Sequence, residues 1–279
     1  MNDDFKYAIL VAHPDDEVLF SSSLIKNASK IIIGFGEIPE KNMKIQSLGR
    51  KNIQNKYPFE KIIFLNIKQA SKDPRKKISF DNASENKYGL IIKNNKKEYK
   101  ENFFKLCNLL PIHLKGIDRV YTHSPWGDYG HEDHIQIFKC IMHLKKFNNF
   151  KVFVFAYISR DTVNLAYRNF KFLNGNFEVK RNDFKIYNLL KNLYIQEKCW
   201  TWSKKSKPAL YEYFYEIDLN KNQNLKNINF TMNYFYQPFY SNKITPLNFK
   251  VNSKFFKLFM LQNKFFFKIR VFILKILKI

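Results

Sequence analysis

Short apolar segments alternate with longer segments of helical periodicity in the first half of the chain, and this alternation limits the fold to a few architectures. Five segments rich in β-branched and aromatic residues predict strands: Tyr7–Val11, Ile31–Phe35, Lys61–Ile67, Arg119–His123 and Val152–Ile158. The segments between them predict helices: Asp16–Ala28, Lys41–Lys56, Glu98–Leu109 and His131–Lys146. Because crossovers between parallel strands are right-handed, this order predicts an α/β fold with a mainly parallel sheet and helices on both faces.

The chain has 279 residues, of which 45% are hydrophobic, enough for one large domain with an appendage. Residues 70–97 are polar and lack periodicity, which predicts a long loop or an irregular insertion. Asp183–Glu197 predicts a further helix, and aromatic segments follow it. We therefore divide the chain into a domain over residues 1–200, an extension over 201–252 that completes or flanks it, and a C-terminal segment over 253–279.

The formal net charge of +24 predicts attraction to anionic partners. The basic residues are widely spread and nucleic-acid motifs are absent, which argues against a nucleic-acid partner. The three cysteines are far apart in sequence and predict buried free thiols in a reducing compartment. The first strand begins almost at once, without a signal peptide, and no uncharged run is long enough to span a bilayer, so we expect a cytoplasmic protein.

Residues 253–279 have a composition of their own. Treated as a helix, their lysines fall within one sector of roughly 120°, and most of the remaining surface is apolar; Arg270 is the exception. A basic face opposite a broad apolar face is typical of a helix that lies on an anionic membrane surface. A terminal helix that docks on the protein's own core or on a second subunit would show the same pattern, and both interpretations stay open.

The segment Ala12–Glu17 places a histidine and adjacent carboxylates where the first predicted strand ends and a helix begins. Ligands bind at this edge of parallel α/β sheets. His13 and Asp16 are suited to hold a metal ion, with Asp15 directed at its open face. Taken alone, the segment is more typical of a capped helix with a histidine in its loop.

A second polar segment, Gly127–His134, follows the predicted strand Arg119–His123 and reaches the same edge of the sheet. His131 and His134 are three residues apart and share one face of a helix. His134 would complete a set of three ligands with His13 and Asp16, leaving a position open for water, as in catalytic zinc sites. Asp133 would orient an imidazole by accepting its second ring proton.

Together, Ala12–Glu17 and Gly127–His134 resemble the two signatures of the LmbE-like, or PIG-L, family of zinc-dependent N-acetylsugar deacetylases. Lys185–Gln196 resembles a later helix of that family, with Ile195 in place of its usual serine. The resemblance covers roughly residues 5–200 and implies a Rossmann-like three-layer α/β sandwich. It leaves the basic C-terminal segment unexplained.

The resemblance also implies roles for the site residues. The metal, Zn²⁺ or alternatively Fe²⁺, would be held by three side chains: His13, Asp16 and His134. Asp15 would be the general base that takes a proton from the metal-bound water. His131 would stabilise the oxyanion or protonate the leaving amine, with Asp133 tuning it, and Tyr129 would also reach the oxyanion.

Four further residues border these motifs. The family holds its substrate with an arginine on the helix after the second strand, where this chain has Arg50. Trp126 would either border a sugar pocket, since aromatic faces stack on sugars, or plug the base of its loop. We interpret His123 as a packing residue behind the site and expect Glu17 to make a supporting hydrogen bond.

These features predict a metal-dependent hydrolase that removes an N-acetyl group from an N-acetylglucosamine-type sugar or glycoconjugate. The basic surface and the C-terminal segment suggest a substrate near a membrane. One alternative is metal-dependent hydrolysis of another bond, such as a phosphoester, although many phosphoesterases need two metals and more carboxylates. Another is an inactive deacetylase fold that binds a membrane surface or an anion; the intact Asp15, His131 and Asp133 argue against it.

Overall fold

The computed structural model describes residues 5–39, 43–70, 84–91, 96–220, 228–235 and 244–251. The predicted amphipathic helix over 253–279 lies outside these ranges. The described strands are β1 Tyr7–Val11, β2 Lys30–Phe35, β3 Ile62–Ile67, β4 Glu85–Asn86, β5 Gly89–Leu90, β6 Arg119–Thr122, β7 Lys151–Phe155, β8 Tyr157–Ser159, β9 Leu173–Arg181, β10 Tyr211–Ile217, β11 Asn229–Phe235 and β12 Ile244–Lys250. The described α-helices are α1 Asp16–Ile25, α2 Lys44–Lys56, α3 Lys96–Leu114, α4 Glu132–Lys145, α5 Val163–Asn169 and α6 Phe184–Gln196.

Seven strands form the central sheet in the order β3-β2-β1-β6-β7-β10-β9. The first five are parallel to one another, while β10 is antiparallel to both β7 and β9. The predicted α/β fold with a mainly parallel sheet is therefore confirmed. Because β1 lies in the middle of the parallel part and pairs with β6, the segments that follow these two strands leave the sheet side by side.

Two hydrophobic cores lie on opposite faces of the sheet, giving three layers. Successive residues of β1 alternate between them: Ala8 and Leu10 pack in one core, Ile9 and Val11 in the other. Helices α3, α4 and α5 contribute to the first core, and α1, α2 and α6 to the second. Strands β1, β2, β6 and β7 are buried almost throughout, which explains their continuous apolar sequences.

The predicted strand Val152–Ile158 is in fact two strands that belong to different sheets. Ala156 lies between them; its amide donates to the Tyr213 carbonyl and its carbonyl accepts from the Asn233 amide. Beyond Ala156 the chain joins a second sheet of order β12-β11-β8. Both β7 and β8 are buried, so the apolar sequence continues from one strand into the other. The sequence pattern therefore gave no sign that the chain changes sheets at Ala156.

Two other predicted boundaries differ from the structure. Helix α3 continues past Pro111 to Leu114, since Leu110 and Leu114 keep its apolar face on the core. Within the predicted loop over 70–97, the hairpin of β4 and β5 is described. Within the extension over 201–252, β10 lies in the central sheet, where it pairs with both β7 and β9.

Helix α1 is interrupted at Ser21, whose φ of −151° and ψ of 29° are not helical. The turn that restarts the helix is capped by Glu212, a fully buried residue of β10. Its carboxylate accepts from the amides and hydroxyls of Ser22 and Ser23, and from Nδ2 of Asn182 at 2.8 Å. Burial raises the pKa of Glu212 to about 7, and the four donors of Ser22 and Ser23 partly offset that rise.

We expect Glu212→Ala to lower the free energy of unfolding by about 3 kcal/mol or more, because it leaves five buried donors without an acceptor. The matched control is Glu216→Ala in the same strand, which removes a partly exposed carboxylate 3.8 Å from Lys151 and should cost less than about 1 kcal/mol. Urea denaturation of both variants at neutral pH measures the difference. Equal destabilisation would contradict a capping role for Glu212.

Within the described ranges, no helix combines the length and apolar character needed to cross a bilayer.

Candidate active site

The carboxyl ends of β1 and β6 bring the two polar segments together. His13 follows β1, and the loop after β6 leads into α4. Most polar side chains at this edge are buried, His13 being 4% and Asp16 1% exposed. Buried polar and charged groups are costly without partners, so the contacts of each side chain indicate what the site is built to do.

The loop between β6 and α4 depends on backbone conformations that few residues adopt. Gly127 has a φ of +68°, and a Cβ atom there would lie 2.6 Å from the His131 carbonyl oxygen. Asp128 has a φ of 59°, and its carboxylate is held by the Ser124 amide at 3.2 Å. This tight turn places the Asp128 carboxylate within hydrogen-bond distance of Nδ1 of His123 and of His134.

The ring of His134 is oriented by Asp128. Its Nδ1 lies 2.9 Å from Asp128 Oδ2, so Nδ1 carries the proton and donates to the carboxylate. Its Nε2 is buried without a hydrogen-bond partner and lies 3.2 Å from Asp16 Oδ2. Although burial opposes the charged form, the nearby Asp16 and Asp128 carboxylates raise the pKa of His134 to about 10. The site therefore holds negative charge that favours a cation at Nε2.

His13 is oriented in the same way by a different carboxylate. Its Nε2 lies 3.1 Å from Asp133 Oδ2, while its Nδ1 lies 3.1 Å from Asp16 Oδ2. When the Nε2 proton is donated to Asp133, Nδ1 carries no proton and its lone pair is available to a metal ion. His13 and His134 thus present one nitrogen each to the same oxygen of Asp16.

The two distances to Asp16 Oδ2 suit ligands of one divalent cation. Tetrahedral ligands at usual zinc distances lie about 3.3 Å from one another, close to the 3.1 and 3.2 Å observed from Asp16 Oδ2. Among the described residues, two buried groups of three have potential ligand atoms within 4.8 Å of one another: His13, His131 and His134, and Asp16, His123 and His134. The set predicted from the sequence, His13, Asp16 and His134, is not itself one of these groups, although each group contains two of its members.

His123 is less suited to be a ligand, because both ring nitrogens are engaged. Nε2 accepts from the Ala12 amide at 2.8 Å, and Nδ1 lies 2.6 Å from Asp128 Oδ2. Its ring stacks on that of His134 at a centroid distance of 3.7 Å. This geometry supports the interpretation that His123 packs behind the site.

His131 is a neutral imidazole beside the proposed ligands. Burial and the neighbouring His13 hold the pKa of His131 well below its usual range. Its Nδ1 accepts from the Asp133 amide at 3.2 Å, which leaves the ring proton on Nε2. The Asp133 carboxylate makes its hydrogen bonds with His13 and Gln69 and acts on His131 through its charge alone, which opposes the lowering of the His131 pKa.

Asp15 has an unusual backbone conformation, with a φ of 98°. A positive φ at a residue other than glycine is strained and persists only where the surroundings hold it. Asp15 Oδ2 accepts from the amide and the hydroxyl of Thr201, at 2.8 and 2.6 Å. Burial, together with the adjacent Asp16 carboxylate, raises the pKa of Asp15 to about 7.

Glu17 holds the backbone of Asp15 in this conformation. Its Oε2 accepts from the Asp15 amide at 3.1 Å, while its Oε1 accepts from the hydroxyls of Tyr194 at 2.7 Å and Tyr57 at 3.2 Å. Burial raises the pKa of Glu17 to about 8. The supporting hydrogen bond expected of Glu17 is thus a network that ties α1 to α2 and α6.

Arg50 is buried and is connected to the site through Gln69. Its Nη1 donates to Gln69 Oε1 at 3.1 Å and to the Gly36 carbonyl at 3.3 Å, and its Nε lacks a partner. Gln69 Nε2 in turn donates to Asp133 Oδ2 at 3.1 Å. Arg50 also borders a cavity of about 570 Å³ between α2 and the ends of β2 and β3, which Lys44 and Lys51 line as well.

The two aromatic candidates lie in different places. Tyr129 is within the site, with its ring centroid 5.1 Å from that of His134. Trp126 is fully buried; its indole donates to the Tyr157 carbonyl at 2.6 Å and its ring packs on Phe170. This placement corrects the assignment of Trp126 to a sugar pocket and favours the alternative, a plug at the base of the loop.

We expect Asp128→Asn to weaken metal binding about 10- to 100-fold, because Asp128 orients His134 through its ring proton. In one orientation, the NH₂ group of the new amide faces the Ser124 N–H; in the other, it faces Nδ1 of His123 and His134. Two donors then face each other, so one hydrogen bond of Asp128 is lost in either orientation. Asp118→Asn is the control, since Asp118 is exposed and binds the Lys6 amide away from the site. Zinc titration of the metal-free proteins measures the change; unchanged affinity in Asp128→Asn would contradict this role.

Comparison with models of known protein families and with curated proteins gives no match. Among solved structures, the chain is similar to the zinc-inhibited form of teicoplanin deacetylase Orf2, with 10% identity, a TM-score of 0.46 and coverage of 76% of this chain and 98% of that chain. It is also similar to Dbv21, the deacetylase of the A40926 pseudoaglycone, with 10% identity, a TM-score of 0.46 and coverage of 79% and 100%. Similarity at this level assigns neither an activity nor a site residue.

Proposed function

We propose that this protein is a metal-dependent hydrolase that removes an N-acetyl group from an amino sugar or a glycoconjugate. One observation carries the proposal: His13 and His134, each anchored by a separate carboxylate, direct a free nitrogen at the same oxygen of Asp16. Two imidazoles and one carboxylate are ligands of catalytic zinc sites, and Fe²⁺ accepts the same set. When bound, the ion would supply Lewis-acid activation of water and of the acyl carbonyl.

Asp15 is the residue best placed to take a proton from the attacking water. It precedes the proposed ligand Asp16, and Thr201 holds one of its carboxylate oxygens in position. General base catalysis by a positioned carboxylate contributes about 10²- to 10⁴-fold to a rate. The strained backbone of Asp15 and its support by Glu17 are consistent with a side chain that must be held precisely.

His131 supplies the complementary group, a neutral imidazole whose Nε2 proton is free to donate. Its ring lies 4.5 Å from that of His13 and 4.9 Å from that of His134, measured between centroids. From this position it would donate a hydrogen bond to the oxyanion that forms when water attacks the acyl group, or pass a proton to the leaving amine. The ring centroid of Tyr129 lies 6.1 Å from that of His131, and Tyr129 would assist at the oxyanion.

The sugar would be held beside this centre, and the cavity that Arg50 borders is the space proposed for it. Arg50 contacts the site through Gln69, so substrate that engages its guanidinium would lie close to the metal ligands. N-acetylglucosamine conjugates are therefore the first substrates to examine.

The proposal is tested by measuring acetate release from free, nucleotide-linked and lipid-linked N-acetylglucosamine. We expect release from at least one of them, loss of activity after chelation, and its return with Zn²⁺ or Fe²⁺. A phosphoesterase would instead split the phosphate linkage between the sugar and its nucleotide or lipid and leave the acetyl group in place. Activity that survives chelation, or binding of metal with no acetate released from any of the three classes, would contradict the proposal.

A further inference from the structure

Two of the three cysteines lie next to each other, although the sequence predicts separate free thiols. Cys107 on α3 and Cys140 on α4 have their sulphur atoms 3.0 Å apart. The residues are far apart in sequence, and only the packing of α3 against α4 brings them together. Cys199, on the other face of the sheet, is buried in a different core.

We propose that Cys107 and Cys140 form a reversible disulfide by exchange with a small-molecule disulfide such as glutathione disulfide. Their sulphur atoms need to approach by only about 1 Å to reach bonding distance. A close dithiol pair in a protein of a reducing compartment is typical of a transient, redox-dependent bond. This site is independent of the proposed deacetylase function, because neither thiol contacts the proposed metal ligands.

Exposure distinguishes the two thiols. Cys107 is partly exposed, whereas Cys140 is completely buried. The hydrogen bond with Cys140 lowers the pKa of Cys107, and burial raises the pKa of Cys140 well above its usual range. A reagent from solution reaches Cys107 first, and Cys140 then acts as the resolving thiol.

The exchange balances in two steps. The Cys107 thiolate attacks one sulphur of glutathione disulfide, which gives a mixed disulfide and releases one glutathione thiolate. Cys140 then loses its proton and attacks Sγ of Cys107, releasing the second glutathione. The protein loses two electrons and two protons, and the oxidant becomes two glutathione thiols.

The bond would join α3 to α4, the helix that carries His134. Helix α4 begins at Glu132 and bears His134 in its first turn. Cross-linking α3 and α4 restricts the unfolded chain over the whole segment from Cys107 to Cys140. We therefore expect the oxidised protein to melt about 5 °C or more above the reduced one.

The test exposes reduced full-length protein to graded glutathione disulfide, quenches with acid, alkylates the remaining thiols and maps the peptides by mass spectrometry. We expect the three free thiols to fall to one, Cys199, with the peptides of Cys107 and Cys140 linked. Dithiothreitol should restore all three thiols and the lower melting temperature.

Single replacements separate the two steps. Cys140→Ser should stop at a stable glutathione adduct on Cys107, whereas Cys107→Ser should form neither adduct nor bond. Cys199→Ser is the matched control and should leave oxidation and the rise in melting temperature unchanged. A glutathione adduct on Cys107 that persists in the unaltered protein, or thiols that stay reduced in excess oxidant, would overturn the proposal.

Discussion

Replacing His134 by glutamine is expected to abolish stoichiometric zinc binding and to lower kcat/KM for acetate release by about 10³-fold or more. The Nε2 atom of His134 is buried without a hydrogen bond and faces Asp16 at 3.2 Å, so its loss removes one of three proposed ligands. The Lewis-acid contribution of a metal is worth several kcal/mol, which corresponds to rate losses of this size. Metal content and acetate release are measured on the same preparation.

The control for this variant is His143→Gln, on the same helix but exposed and away from the site. It should bind one zinc per chain and keep full activity. Near-normal metal content in His134→Gln would show that His134 is not a ligand. The alternative group of His13, His131 and His134 also requires His134. Asp16→Asn distinguishes the two ligand sets, because it removes a ligand only from the set that contains Asp16.

The second large effect is expected for Asp15→Asn, which should lower kcat about 10²- to 10⁴-fold while metal content stays at the level of the unaltered protein. Asparagine keeps the size of the side chain and can still accept from Thr201 through its amide oxygen. It cannot take a proton from water. A lower kcat with unchanged metal content would therefore show that Asp15 acts as the base and is not a metal ligand.

Thr201→Val tests the same side chain by a smaller change, the loss of one hydrogen bond to Asp15. It removes the hydroxyl donor to Asp15 but keeps the backbone donor at 2.8 Å, so we expect kcat to fall by about 10-fold or less.

Two results for Asp15→Asn would contradict its role as the base. Loss of metal in Asp15→Asn would make Asp15 a ligand instead. Unchanged kcat in Asp15→Asn would remove it from the proposed mechanism.

The parallel half of the fold could be predicted from the sequence because four of its five strands, β1, β2, β6 and β7, are buried almost throughout and therefore form continuous apolar runs. The antiparallel strands were not predicted. In β9 and β10, polar and charged residues interrupt the apolar pattern, and Glu212 occupies a buried position of β10. Its cost is offset by donors on α1, far away in sequence, and no local pattern reports such a partner.

The same distinction applies to the candidate site. His13, Asp15 and Asp16 form one local segment, and His131 and His134 another, so their spacing indicated metal chemistry. The residues that hold them come from elsewhere: Thr201 binds Asp15 across 186 positions, and Gln69 reaches Asp133 across 64. Asp128 is an exception, since it lies in the glycine-rich segment already singled out, and its position beside two glycines was the available signal.

The measurement that tests the central claim most directly is titration of metal-free protein with Zn²⁺ while acetate release from N-acetylglucosamine conjugates is followed. The three-ligand site predicts that activity is absent at the start and rises linearly to a plateau at one zinc per chain. His134→Gln should show no rise over the same range. Acetate release by the metal-free protein, or a plateau that requires two ions per chain, would contradict a single metal held by His13, Asp16 and His134.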